Sequence, residues 1–286
     1  MAALQLTEPM PRARPRFPAS FLWGATMLAL VVLAAAFGPM VAPFPYDQMD
    51  IMSRLQPPGA THWLGTDEFG RDVLSRLLFG ARLSLLMGIG ATFVSLVIGV
   101  PLGLAAGYKG GRIDETIMRA IDLVISVPPI LMGLLLLSLS TPNVWKTAFA
   151  VGIIYVPIMA RLTRAVTLEI AREEFVLAAR ARGEKLWYIL AAEILPNAWP
   201  PIIVEAALRV TFAIMLGAAL SFLGLGVQPP SSDWGLMIAE ARPFIDTAPW
   251  VALAPGLVLC ITVIAVNLVG DGLRELLDPR LERGRG

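Results

Sequence analysis

The chain has 286 residues, of which 56% are hydrophobic and 16% charged, where an ordinary soluble domain carries about 25% charged residues. That balance excludes disorder and a soluble globular fold, and a formal net charge of +1 excludes a strongly basic nucleic-acid binder. One cysteine, Cys260, cannot form an internal disulfide, and one histidine, His62, cannot build a histidine-cluster metal site.

A bilayer-crossing helix needs about 20 mostly apolar residues. No charge occurs over 17–46, which predicts a first span over 21–41, ended by Pro39, Pro43 and Pro45. A cleaved signal peptide is the alternative, but its apolar core is shorter, about 7–15 residues. Uncharged runs predict a second span over 83–108 and a third over 123–145, entered from Ile117. A fourth span over 147–168 must accept Arg161 and Arg164 near its end, where long side chains can snorkel to the interface. A fifth over 202–223 contains Glu205 and Arg209, four apart on one helical face and able to pair. A sixth, 247–270, is clean.

The reading is therefore an all-α membrane protein with six transmembrane helices. If the N-terminus is cytoplasmic, only Arg54, Arg71, Arg76, Arg82, Lys146 and Arg242 of the 23 lysines and arginines fall in outer segments, with Arg209 inside a span. That bias places both termini inside. Along the second span Ala91, Ser95, Gly99, Gly103 and Gly107 recur every four residues, a stripe that lets another helix approach closely. Its neighbour is either a helix of the same bundle or another subunit. Pro101, Pro128, Pro129, Pro157 and Pro255 lie inside spans and can kink them.

The longest cytoplasmic segment, 167–199, is too charged to span and too apolar for a free linker. It predicts a helix over 171–181 ending at Gly183, then a second over 184–194 stopping before Pro196. Such a hairpin buries little by itself. It either docks on a cytoplasmic partner or lies on the lipid headgroups.

Four motifs in this order carry a family resemblance. The loop runs Leu177-Ala178-Ala179, then Gly183, then Ile194-Leu195-Pro196-Asn197. Residues 62–76 read HWLGTDEFGRDVLSR, residues 221–230 read SFLGLGVQPP with Trp234-Gly235 following, and 267–274 read NLVGDGLR with LDPRL at 277–281. Together they resemble the second permease subunit of dipeptide/oligopeptide ABC importers, over nearly everything after residue 20. Two positions depart from that family: Leu177 replaces the glutamate of the loop motif, with Glu173 and Glu174 one turn earlier, and Gly217 stands where an acidic residue is common.

The resemblance implies a type I ABC importer permease fold with a cytoplasmic coupling-helix hairpin, in a bacterial inner membrane. It divides the chain into a tail (1–20), a first helix and outer segment (21–81), a type-1 transmembrane domain (82–273) with its coupling loop (169–197), and a second tail (274–286). It implies four partners: a homologous second permease, one or two cytoplasmic ABC ATPases, an extracytoplasmic substrate-binding protein, and the lipid bilayer. Glu174, Leu177, Ala178, Ala179, Gly183, Leu195 and Pro196 would form the ATPase-coupling loop. Glu205 and Arg209 would be either an internal ion pair or polar groups of the translocation path.

No catalytic residue, metal or cofactor is implied. No Gly-x4-Gly-Lys-Ser/Thr loop occurs, so ATP hydrolysis would belong to another chain. The Asp67, Glu68, Arg71, Asp72 and Arg76 group reads as a fastening for the second span, not as an acid–base or metal site. Gln228-Pro229-Pro230 and Trp234 read as an outer loop, either beside a docked binding protein or as a structural turn. Substrates of similar permeases include dipeptides, oligopeptides, nickel complexes and glutathione. A stand-alone secondary transporter would need inverted repeats and intramembrane ion ligands, and a membrane-embedded enzyme would need a catalytic pair within the spans; neither is evident.

Overall fold

A computed structural model describes residues 18–138, 141 and 143–277. The tail arginines and Asp278-Pro279-Arg280-Leu281 of the last motif lie outside the described residues. Five helices are long and apolar enough to cross a membrane: α1 (Ala19–Val41), α2 (Val73–Lys109), α5 (Val144–Ile170), the run Leu186–Phe222, and α10 (Trp250–Leu277). A sixth crossing is a bent pair, α3 (Gly111–Ile125) and α4 (Pro129–Ser138), which meet at 87°. Among the described residues, the short helix α6 (Glu174–Ala181) packs at the Lys109 end of α2 and the short helix α9 (Trp234–Ala241) near its Val73 end.

The expected continuous third span over 123–145 is corrected by this bend. Pro128 and Pro129 have no N–H to offer Val124 and Ile125, so the helix stops at Ile125 and restarts in a new direction. Trp145 belongs to α5, whose first turn is capped by Asn143: its Oδ1 accepts the Trp145 N–H at 2.9 Å. The inner half begins earlier than expected because α3 is amphipathic, and its charges Asp114 and Asp122 are paired with arginines of α5.

The expected stop before Pro196 is also corrected. A short helix α7 (Leu186–Tyr188) passes through a π-helical segment, Ile189–Ile194, into α8 (Leu195–Phe222). The wider turn shifts the ladder: Leu195 N–H donates to Leu190, five residues back. Pro196 then falls within the first two positions of α8, where a missing N–H is tolerated. The first loop helix is shorter than expected, since α5 continues to Ile170 and α6 starts at Glu174.

The small-residue stripe settles inside the chain. An ideal Cβ on Gly103 would lie 2.5 Å from the Ala160 carbonyl and from Thr163 Cβ, both on α5, and Gly99 and Gly107 meet α5 in the same way. The α2–α5 pair is the spine of the bundle. At the Val73 end of α2, Val73, Leu77, Ala81, Trp234, Met237 and Val251 form a core between α2, α9 and α10. At its Lys109 end, Val100, Leu104, Met159, Val176, Ala179, Ile194 and Ile202 form a second core joining α2, α5, α6 and α8.

Candidate functional site

The cytoplasmic loop is built on this second core. α6 turns Val176 and Ala179, both fully buried, onto α2 and the π segment. The opposite face presents Glu174, Leu177, Ala178 and Ala181 to solvent. Of the expected coupling residues, Ala179 therefore faces its own chain and cannot touch a partner, while Glu174, Leu177 and Ala178 lie on the free face. Gly183 ends α6 with φ +75°, a conformation that suits a residue without Cβ. Glu184 N–H donates to Ala179 O at 3.2 Å and Gly183 N–H to Arg180 O at 2.9 Å, which closes the turn. Pro196 is exposed and Leu195 half-buried, directly after the π segment.

Sequence reasoning missed the clamp that holds α6. Arg180 Nε donates to the Tyr108 hydroxyl at 2.9 Å, and its guanidinium lies 4.3 Å from the Tyr108 ring centroid. Tyr108 is the penultimate residue of α2, so the loop is tied to the spine of the bundle. Around the free face, Phe175, Leu186 and Trp187 are exposed apolar side chains among Arg172, Arg182 and Lys185. The only signal in the sequence was an aromatic residue at the end of a span and an arginine in the loop.

Within the membrane, Glu205 and Arg209 do form the expected pair, Nε to Oε1 at 2.8 Å, with both side chains largely buried. The Arg209 guanidinium also lies 4.7 Å from the Phe212 ring and 5.5 Å from the Tyr155 ring. Arg161 and Arg164, expected near the end of the fourth span, both find carboxylate partners. Arg164 forms a forked contact to both Asp114 oxygens, and Arg161 pairs with Asp122. The aspartates lie on α3, which the sequence reading did not bring alongside α5.

On the outer side, Asp67, Arg71 and Arg76 are buried. Arg71 Nε and Arg76 Nη1 both donate to Asp67 Oδ2 at 2.6 Å, and Arg76 Nη2 donates to Glu240 of α9 at 2.7 Å. Burial pushes the Glu68 carboxyl pKa up, and the neighbouring Asp67 and Glu240 charges add to the effect against Arg71. Asp72 caps α2, accepting the Ser75 N–H at 2.8 Å and meeting His62 Nδ1 at 2.9 Å. This group fastens α2 and the 50–72 segment to α9. Among the described residues, no three His, Cys, Asp or Glu side chains are arranged to hold a metal ion. Trp234 is fully buried, its indole N–H donating to Leu77 O at 3.2 Å, so it is a structural turn and not a docking surface. Asp233 caps α9 through Leu236 N–H at 2.8 Å and accepts the Ser221 hydroxyl at 2.7 Å; burial pushes its pKa up.

An apolar bundle with paired intramembrane charges and a clamped loop helix defines a multi-pass membrane protein, and the family matches give its class. Residues 99–283 match the family described as "Binding-protein-dependent transport system inner membrane component", and residues 20–58 match the "N-terminal TM domain of oligopeptide transport permease C". The chain belongs to the first of these families, the permease subunits of binding-protein-dependent ABC importers, and carries the N-terminal element of the oligopeptide permease C branch.

Among its relatives, the dipeptide transport system permease protein DppC of Alkalihalophilus pseudofirmus is 42% identical over 259 residues, 91% of this chain and 85% of that protein. The di/tripeptide transport system permease protein DppC of Pseudomonas aeruginosa is 42% identical over 267 residues, 91% of this chain and 88% of that protein. A solved structure showing inward-facing conformations of the MetNI methionine ABC transporter is 20% identical, with TM-score 0.59, over 71% of this chain and 96% of that chain. That likeness is one of fold.

Proposed function

We propose that this chain is one of two permease subunits of an ATP-driven importer of di- and oligopeptides, with both termini cytoplasmic. A homologous permease completes the path, one or two ABC ATPases drive it, and an extracytoplasmic binding protein delivers substrate. The 82–273 unit carries the path, and the 169–197 loop couples it to ATP. Peptide permeases among the relatives support the substrate class over nickel complexes or glutathione.

The observation that carries the coupling role is the two-faced α6. Its inner face is locked into the cytoplasmic core and its outer face is free, so a push on Leu177 and Ala178 passes through Val176, Ala179 and the Arg180–Tyr108 clamp to α2 and α8. ATP binding would close the ATPases and tilt these helices, and hydrolysis would reset them, which is alternating access.

Ala178→Asp changes only the free face. It is expected to leave insertion and thermal stability unchanged, release the ATPases on purification, and lower peptide uptake at least tenfold. Gly183→Pro cannot adopt the left-handed turn and is expected to lose uptake with insertion intact. Wild-type uptake by both variants would remove the loop from the mechanism.

A further inference from the structure

We propose that the polar arc of α3, centred on the Asp122–Arg161 ion pair and ending at the helix break, is a wall of the water-filled passage in the inner half of the membrane. The assignment deepens the permease reading above and rests on it.

Depth is the first observation. α5 has 27 residues, about 40 Å of helix, and Arg161 lies nine residues from its cytoplasmic end, about 14 Å inside. With α5 centred on an apolar layer about 30 Å thick, its ends overhang by about 5 Å and that position lies about 9 Å inside the hydrocarbon. Yet the Arg161 side chain is 49% exposed and that of its partner Asp122 is 60% exposed. Charges at that depth do not face acyl chains; they face protein or a water-filled cavity.

The second observation is the arc itself. At about 100° per residue, Asp122, Glu115 and Arg119 fall within about 60° of one another on α3. Glu115 and Arg119 are paired, and both are more than half exposed. Arg112 continues the arc toward the cytoplasmic end, beside the exposed Lys109 and Gly111. The opposite flank is apolar: Ile117, Ile121 and Val124 line a crevice of about 300 Å³ with Ile98 and Leu102 of α2 and Val156 and Pro157 of α5.

The third observation is the break at Ser126–Ile130. Ser126, Pro128, Pro129 and Ile130 are exposed where two prolines interrupt the backbone ladder. Irregular backbone at membrane depth is tolerated only where protein covers it or water reaches it. Charge, helix break and exposure thus coincide on one side of one element. Both ion pairs are closed within this chain, so neither asks for a charge from a partner subunit, and a dry interface would bury both at a desolvation cost. Water satisfies all three observations. A wall with both signs side by side also suits a ligand carrying an ammonium and a carboxylate.

The test uses the whole importer in inverted membrane vesicles, with Cys260→Ser as background. Arg119→Cys and Ser126→Cys are treated with a membrane-impermeant cationic methanethiosulfonate, with Leu30→Cys on the apolar face of α1 as reference. The proposal expects both sites to react at least tenfold faster than Leu30→Cys. Rates equal to the reference at both sites would overturn it, in favour of lipid or a dry subunit interface. Asp122→Asn supplies a second reading: peptide uptake is expected to fall at least fivefold while ATPase subunits still co-purify, and unchanged uptake would count against the pair. Labelling needs no substrate, so a labelled importer that takes up no peptide would sink the substrate assignment and leave the passage wall standing.

Discussion

At Asp67 two guanidinium groups converge on one carboxylate oxygen, and the outer segment depends on that convergence. Arg71 and Arg76 face three carboxylates there, Asp67, Glu68 and Glu240, and burial together with the Asp67 and Glu240 charges pushes the Glu68 pKa up. The raised pKa of Glu68 fixes the sign. Its ordinary value is 4.5; above it the folded state holds a proton that the unfolded chain has released. Stability from this group is greatest at acid pH and is lost as pH rises through the raised folded value. Glu68→Gln removes the titration and is expected to flatten the fall in melting temperature as pH rises above the ordinary value of 4.5. The slope persists in part because Asp233, shifted in the same direction, remains. An unchanged slope in the variant would mean that Glu68 does not titrate in this range.

Helices are the scale at which the sequence was most and least legible. The first, second and sixth spans carry no charge, and hydropathy places them at once. The third was misplaced because its inner half carries Asp114, Glu115, Arg119 and Asp122, residues that resemble a loop until α5 supplies the arginines for two of them. The π segment was invisible because no residue type marks a five-residue ladder, and Pro196 alone reads as a stop. The glycine stripe was legible as a contact surface, but its partner was not. With that partner known, Gly103→Val has a defined effect. Its side chain would strike the α5 backbone at Ala160, so the two helices must part, which costs about 1–3 kcal/mol or more. Thermal unfolding in detergent is expected to show a clear loss for Gly103→Val and little change for Gly256→Ala, where nothing lies within 4 Å. Equal stability of the two would contradict the close α2–α5 approach.

Across the whole molecule, a net charge of +1 concealed two ordered populations of charge. One is the bias of lysines and arginines toward one set of loops, on which the proposed orientation rests. The other is a set of ion pairs that fasten the outer segment and the bent span to the bundle: Asp67 and Arg76 in the former, Asp114–Arg164 and Asp122–Arg161 between α3 and α5. The coupling residues were legible as a motif, yet a motif does not say which side of a helix faces the protein; burial of Val176 and Ala179 does. The outer segment, the bent span and the clamped loop thus belong to one permease chain, whose coupling to an ATPase is the proposal to test. The most direct measurement is ATP-dependent uptake of a labelled dipeptide by proteoliposomes containing this chain with its partner permease, ATPases and binding protein. The account expects uptake that requires ATP and the binding protein and that is lost when this chain carries Ala178→Asp. Uptake by this chain alone, driven by an ion gradient without ATPase subunits, would contradict it.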